Sequence, residues 1–266
     1  MTVASLAGAA AFWLTPSPHS AFAEFEIPEV DGEKGSIEME YRGAQHWGFP
    51  RVDEDGEIDA LRQSHEVEIQ YAITDYWMVR VTPNFEQPAD DSIDIFTVGI
   101  ETQVVLVPRK GGSFGLAFMA GYGPSDWFVD AEEPDEIEFG PVAEFANHKW
   151  LLTLNPRLVD QNGEFADQEG LGFEYAAQLQ YRFAGHWSAA AMAFGEIEDL
   201  AHSGPFNVQT HALGPSLYWF SDADDAVGET KDNVRKAEWS AGLGTLFGLT
   251  SETADVTLRA TMRMEY

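Results

Sequence analysis

Cysteine is absent from this chain of 266 residues. Without it, neither a disulfide framework nor a thiolate metal site can form. Cationic residues are scarce: 15 Lys and Arg stand against 45 Asp and Glu, and the net charge of -30 repels phosphate. That argues against nucleic acid as a partner. Long apolar runs are missing past the first residues, and nothing later approaches the roughly 18–20 uncharged positions of a spanning helix. Aromatic residues, in contrast, reach 13%, too many for a chain that stays disordered. Two kinds of protein combine so many carboxylates with so many aromatics. One is an acidic soluble enzyme. The other is an outer-membrane β-barrel, whose charges sit in loops and lumen while apolar side chains face lipid.

The beginning of the chain reads as a targeting segment. Residues 3–14 form an apolar run, Pro16 and Pro18 break it, and Ala21-Phe22-Ala23 supplies a small-x-small cleavage site. A signal peptide over residues 1–23 is therefore expected, with Glu24 as the first mature residue and residues 24–266 as one barrel domain. No Lys or Arg precedes the apolar run. A start further upstream or at a different codon stays open, and so does a buried N-terminal helix. Export suits a chain without Cys, since mispairing in an oxidising compartment is then impossible.

The mature chain alternates. From residue 255 to 266, Val256, Leu258, Ala260, Met262, Met264 and Tyr266 share one parity, and Asp255, Thr257, Arg259, Thr261, Arg263 and Glu265 share the other. Period two means a strand with opposite faces. At about 3.3 Å per residue it extends close to 40 Å, longer than ordinary soluble strands and enough to cross an outer membrane at a tilt of about 45°. The same pattern recurs at 65–74, 76–85, 113–123 and 171–183, and more weakly at 36–47, 92–107, 136–147, 149–159, 186–196, 207–220 and 235–247. Twelve strands are predicted, an all-β transmembrane antiparallel up-and-down barrel, and an even count permits closure without an exposed edge.

Short and long connections alternate along most of this series, as periplasmic turns and external loops do. The stretch 221–234 breaks the rule, being long where a short turn is due. Either the barrel carries one long turn on its short-turn side, or the count slips by a strand near residue 200. Aromatics gather near strand ends, among them Trp47, Phe49, Tyr76, Trp77, Trp127, Phe128, Trp150, Trp187, Tyr218, Trp219, Phe220 and Trp239, as interfacial girdles require. A secreted β-sandwich also alternates, but it has no need of lipid-sized apolar parity on nearly every strand.

Tyr266 closes the last alternating strand, and a terminal aromatic there resembles the signal read by the outer-membrane assembly machinery. A wider likeness rests on Val67-Glu68-Ile69-Gln70-Tyr71-Ala72-Ile73-Thr74-Asp75-Tyr76-Trp77 and on Phe247-Gly248-Leu249-Thr250 with the final strand. In these segments, and loosely over residues 35–266, the chain resembles the small outer-membrane barrels of the phenol-degradation meta-pathway transporter type. That resemblance implies transport of hydrophobic or aromatic compounds and carries over no functional residues.

If the apolar parity faces lipid, the other faces a lumen. The lumen-lining candidates are Glu38, Glu40, Arg42, Glu66, Glu68, Arg80, Glu101, Arg157, Glu174, Arg182, His211, Arg259 and Arg263, with Gln70, Gln103, Glu138, Glu144 and Gln178 beside them. Two arrangements fit. A narrow water-filled path with an acidic bias would favour cations or polar neutral solutes through rings of charge. Alternatively, the arginines pair with neighbouring carboxylates and brace or plug the barrel.

Catalysis has little support. No G-x-S-x-G elbow and no H-E-x-x-H occurs, and His202 next to Ser203 is not a triad. The acidic loops match no EF-hand spacing, so neither metal nor cofactor is expected. The leading expectation is a passive channel or transporter for small solutes in the outer membrane of a Gram-negative type envelope. A structural or surface-interaction barrel is the alternative, and a lipase or protease barrel the third. The expected partners are outer-membrane lipid, the assembly machinery and a small-molecule solute.

Overall fold

The structure, a computed structural model, describes residues 26–30, 32–48, 63–87, 93–109, 114–124, 134–163, 166, 170–222 and 237–266. The leader expected over 1–23 lies outside these residues, as do Phe49, Trp127 and Phe128.

Strands form at β1 (Ile37–Trp47), β2 (Gln63–Thr74), β3 (Trp77–Gln87), β4 (Asp94–Val107), β5 (Phe114–Gly123) and β6 (Asp135–Ala146). They continue with β7 (Trp150–Asn162), β8 (Gly172–Ala184), β9 (Trp187–Ile197), β10 (Thr210–Phe220), β11 (Glu238–Gly248) and β12 (Val256–Glu265). Each strand pairs antiparallel with its sequence neighbours, and β1 pairs with β12, so the sheet is a closed up-and-down barrel. Closure runs from Glu38 opposite Glu265 to Trp47 opposite Val256. Beyond it, the Ile37 and Tyr266 backbones exchange hydrogen bonds of 3.0 and 2.9 Å. A closed ladder satisfies backbone groups without water, which a lipid surround demands. The strands hold between 10 residues in β5 and 14 in β4, enough to cross the hydrocarbon, for which about 9–11 tilted residues suffice.

Alternation becomes two faces. Ile37, Met39 and Tyr41 on β1, Ile69 and Tyr71 on β2, Leu213 and Leu217 on β10 and Leu258 and Met262 on β12 are exposed on the outer surface. Their neighbours of opposite parity are buried or half-buried inside. In water such an apolar band would be a large liability; against lipid it is the stabilising contact.

The two ends differ. Short connections at 75–76, 147–149 and 185–186 lie at the end that also holds Ile37 and Tyr266. Trp77, Trp150, Trp187, Trp219 and Trp239 all sit on the outer face at this end, a girdle where amphipathic rings suit the headgroup level. Trp150 packs on Tyr181 with centroids 4.5 Å apart. Tyr218 and Phe220 fall on the inner parity instead, and the Tyr218 hydroxyl donates to Gln178 at 2.8 Å. The connection between β10 and β11 is long yet starts and finishes at this end, where Ser221 N donates to Trp239 O at 2.7 Å. The irregularity noticed in the sequence is thus a real long turn, and the count of twelve stands.

Two apolar clusters lie inside the barrel. One joins Val30, Ala72, Met78, Val105, Ala117, Met119 and Val142, toward the short-turn end. The other joins Ala176, Met192, Phe194, Ala212, Leu246 and Ala254, with Ile27 packed against it.

Candidate functional site

The lumen is the place where chemistry can occur, and its charge is arranged by strand register. Antiparallel pairing sets Arg42 of β1 opposite Glu66 of β2, one pleat from Glu68. The Arg42 guanidinium contacts the Glu66 carboxylate and donates both Nη groups to Glu68 Oε2 at 3.1 Å. Glu40 stands 3.5 Å away. Arg80 of β3 is likewise opposite Gln70 on β2 and Glu101 on β4. Its Nε donates to Gln70 at 2.7 Å, Nη1 to Glu101 at 3.2 Å and Nη2 to Gln103 at 2.9 Å. Arg157 of β7 bridges Glu138 of β6 at 2.6 Å and Glu174 of β8 at 2.9 Å. Arg42 and Arg80 are each only 2% exposed. Charges this enclosed are held by partners on adjacent strands, and removing one partner leaves an uncompensated ion.

Twelve of the candidate residues face the interior: Glu38, Glu40, Arg42, Glu66, Glu68, Arg80, Glu101, Arg157, Glu174, Arg182, Arg259 and Arg263. Arg182 sits near the short-turn end and Arg259 against Phe194, its Cζ 5.3 Å from the ring centroid.

His211 does not face the interior. It shares the parity of Leu213, Leu217 and Trp219, whose side chains are on the outer surface. The expectation followed its polarity, but its partners lie outside. Tyr175 of β8 and His211 of β10 both stand opposite Gly195 of β9, and a Cβ there would collide with both rings. The glycine lets the Tyr175 hydroxyl reach His211 Nδ1 at 3.0 Å. Phe206 stacks on the imidazole at 4.6 Å, and Gln209 meets Nε2 at 2.9 Å. A satisfied histidine can therefore sit on the outer wall near the long-loop end.

The sequence reading missed what occupies the lumen. Residues 26–30 (Glu-Ile-Pro-Glu-Val) run inside the barrel before β1 begins. Glu26 lies on Arg80 at 2.5 Å. Glu29 pairs with Arg263, whose Nη2 is 3.2 Å from Glu29 Oε2 and 2.6 Å from Glu38. Gln103 Nε2 donates to Glu29 O at 2.7 Å, and Val30 N donates to Glu144 Oε1 at 3.3 Å. Glu144 is itself held by Arg109 at 2.6 Å. The Val30 side chain is fully buried. Five residues with one proline carry no periodicity long enough to read, so no local pattern announced this role. Ordering each residue costs about 1–2 kcal/mol. Burying Val30 returns roughly 1.5–3 kcal/mol, and each charge-assisted hydrogen bond about 1.5–3 kcal/mol. The opposing terms are of similar size.

Other described histidines are structurally engaged. His46 bridges Thr257 and Ser64, each at 2.9 Å, and His186 Nδ1 meets Phe220 O at 2.9 Å. In the β9–β10 connection the Asp199 carboxyl accepts from His202 Nδ1 at 2.9 Å and from Ala201 N at 2.7 Å. The His202 hydrogen bond, then that of the Ala201 amide, holds Asp199 below the usual carboxylate range.

No protein-family model matches the sequence. A search of curated proteins also finds no match. Solved structures do match in fold. An outer membrane channel from Pseudomonas putida F1 superimposes with a TM-score of 0.58 at 10% identity, covering 91% of this chain and 99% of that one. The KdgM porin gives 0.49 at 9% identity over 86% and 98% of the two chains. The outer membrane protein Omp33 of Acinetobacter baumannii gives 0.43 at 10% identity over 89% and 98%. The last two scores are too low to bear on function. At this identity the first shows a shared fold, and the apolar outer band of the present barrel agrees with it. The protein has the closed twelve-strand fold of that outer membrane channel.

Proposed function

We propose that this barrel is a passive outer-membrane channel for small solutes, with hydrophobic or aromatic compounds as its cargo. The observation that carries the reading is the lumen itself, an interior lined by polar and charged side chains and occupied by residues 26–30, which belong to no strand of the wall. A barrel built only for stability has no need of such costly buried charge, since apolar packing of similar volume serves as well or better. Cargo affinity for hydrophobic or aromatic compounds draws on the resemblance in sequence described above, and the apolar clusters inside the barrel are compatible with it. A second reading has its own support: the ion pairs of Arg42, Arg80 and Arg157 brace adjacent strands, which suits a closed structural barrel.

Planar-bilayer recording on the folded mature protein separates the two. A channel shows discrete conductance steps, larger or more frequent in a Glu26→Gln/Val30→Ser variant that loosens the segment. Glu68→Gln or Glu174→Gln then shifts ion selectivity away from cations. Silent bilayers for both proteins, with boiling-dependent gel mobility confirming folded barrels, would establish the closed structural barrel instead.

A further inference from the structure

The segment inside the lumen shows what the lumen holds. It offers carboxylates and branched apolar side chains, and the wall receives the two kinds on different surfaces. Arg80 takes the Glu26 carboxylate and Arg263 that of Glu29. Val30 fills a pocket walled by Ala72, Met78, Met119 and Val142. Gln103 joins anchor and pocket: its Oε1 accepts from Arg80 at 2.9 Å while its Nε2 lies 3.4 Å from Val30 O. One small molecule can therefore touch both. Methionine walls adapt to shapes other than valine. Guanidinium groups fixed by neighbouring strands recognise a planar carboxylate in two-point fashion. Across the lumen Phe194 and Leu246 receive Ile27, so the opposite wall is apolar too.

The geometry points to a binding site for small apolar monocarboxylates in the cleft that residues 26–30 occupy, with the segment acting as the chain's own competing occupant. The inference rests on the channel reading in one respect, that solutes reach the cleft from solution. An aromatic or branched aliphatic acid places its carboxylate where Glu26 lies and its body where Val30 lies. A neutral or cationic molecule of the same shape lacks the first contact. Acetate lacks the second.

Calorimetric titration of the detergent-folded protein tests this, with benzoate as the probe and benzyl alcohol, benzylamine and acetate as controls. Benzoate is expected to bind best of the four. Its affinity rises about ten-fold or more in the Glu26→Gln/Val30→Ser variant, as expected when a competing state is depopulated. Wild-type protein that binds nothing, beside a loosened variant that binds benzoate, also supports the site. Arg80→Gln removes the carboxylate anchor. Because that change endangers the barrel, Arg263→Gln, on a partly exposed arginine, serves as the second variant: it frees Glu29, loosens the segment from the other end and raises benzoate affinity without touching the Arg80 anchor. The site is overturned if benzoate binds no better than benzyl alcohol, if loosening the segment leaves its affinity unchanged, or if neither arginine variant alters it. Conductance recorded on the same preparations keeps the two readings apart. Benzoate binding with silent bilayers removes the channel and keeps the site, whereas currents without benzoate binding do the reverse.

Discussion

From β1 to β4 the inner face of the barrel carries Glu38, Arg42, Glu66, Glu68, Arg80 and Glu101, all buried and tied strand to strand. From β9 to β11 the buried residues of the same face are Ser188, Ala190, Met192, Phe194, Thr210, Ala212, Ser216 and Leu246, none of them charged. The outer faces of the two arcs show no such contrast; Ile69 on one and Leu217 on the other are exposed to the same degree, 44% and 43%. Lipid imposes one requirement all round the outside, whereas the inside is free to vary. Membrane insertion therefore belongs to the outer parity and, on the proposed channel reading, selectivity to the inner one. On that reading an amphipathic solute between a charged arc and an apolar arc has a preferred orientation, which a uniformly polar pore cannot offer.

The contrast can be broken most severely in the charged arc. Arg80→Met leaves Glu26, Glu68 and Glu101 facing one another and should cost about 3–5 kcal/mol. The urea midpoint of the lipid-refolded barrel measures it, and a loss under 1 kcal/mol would mean the pairs do not hold the arc. Next come the outer faces. Ile69→Arg and Leu213→Arg, both exposed and clear of the tryptophan girdle, should each cost roughly 2–4 kcal/mol and, despite the different interiors behind them, nearly the same amount. Unequal costs would show that the inner composition reaches through the wall. In the apolar arc, Phe194→Ala should cost about 2 kcal/mol, below the 3–5 kcal/mol of a sealed core, because lumen water can enter the space. Its larger signature is an increase in conductance.

The smallest effect is expected outside both arcs. Asp199→Asn removes the loop contact to His202 and should lower the unfolding midpoint only slightly at neutral pH, and not at all in acid. The sign for the native pair follows from the depressed Asp199 value: its small contribution is present above the ordinary carboxylate range and is lost as pH falls through the lowered one. Midpoints measured against pH for native and substituted protein check this, and a loss on raising the pH would contradict it.

Much of the architecture was readable before any coordinates. Asp255 to Tyr266 alternates without a fault, and the strand it predicts appears as Val256–Glu265. Ala184-Gly185 marks a tight turn, and Gly185 has the positive φ of 25° that favours glycine there. The inner parity of Glu68, Arg80 and Arg157 followed from the same count. His211 was misplaced because polarity alone assigned its side, whereas Tyr175 and Phe206, distant in sequence, satisfy it on the outer wall. Tyr218 erred in the other sense: an aromatic near a strand end read as girdle, yet its hydroxyl finds Gln178 inside.

Period-two alternation is a local property of an extended chain, so adjacent residues suffice to show which side chains share a face and that those faces differ in polarity. Which arginine meets which carboxylate depends on register between strands and on curvature after closure, and neither is local. Val30 finds Glu144 across 114 positions of chain, and Arg263 finds Glu29 across 234. The occupied lumen, with its charged arc, its apolar arc and the segment between them, exists only once the last strand has closed against the first.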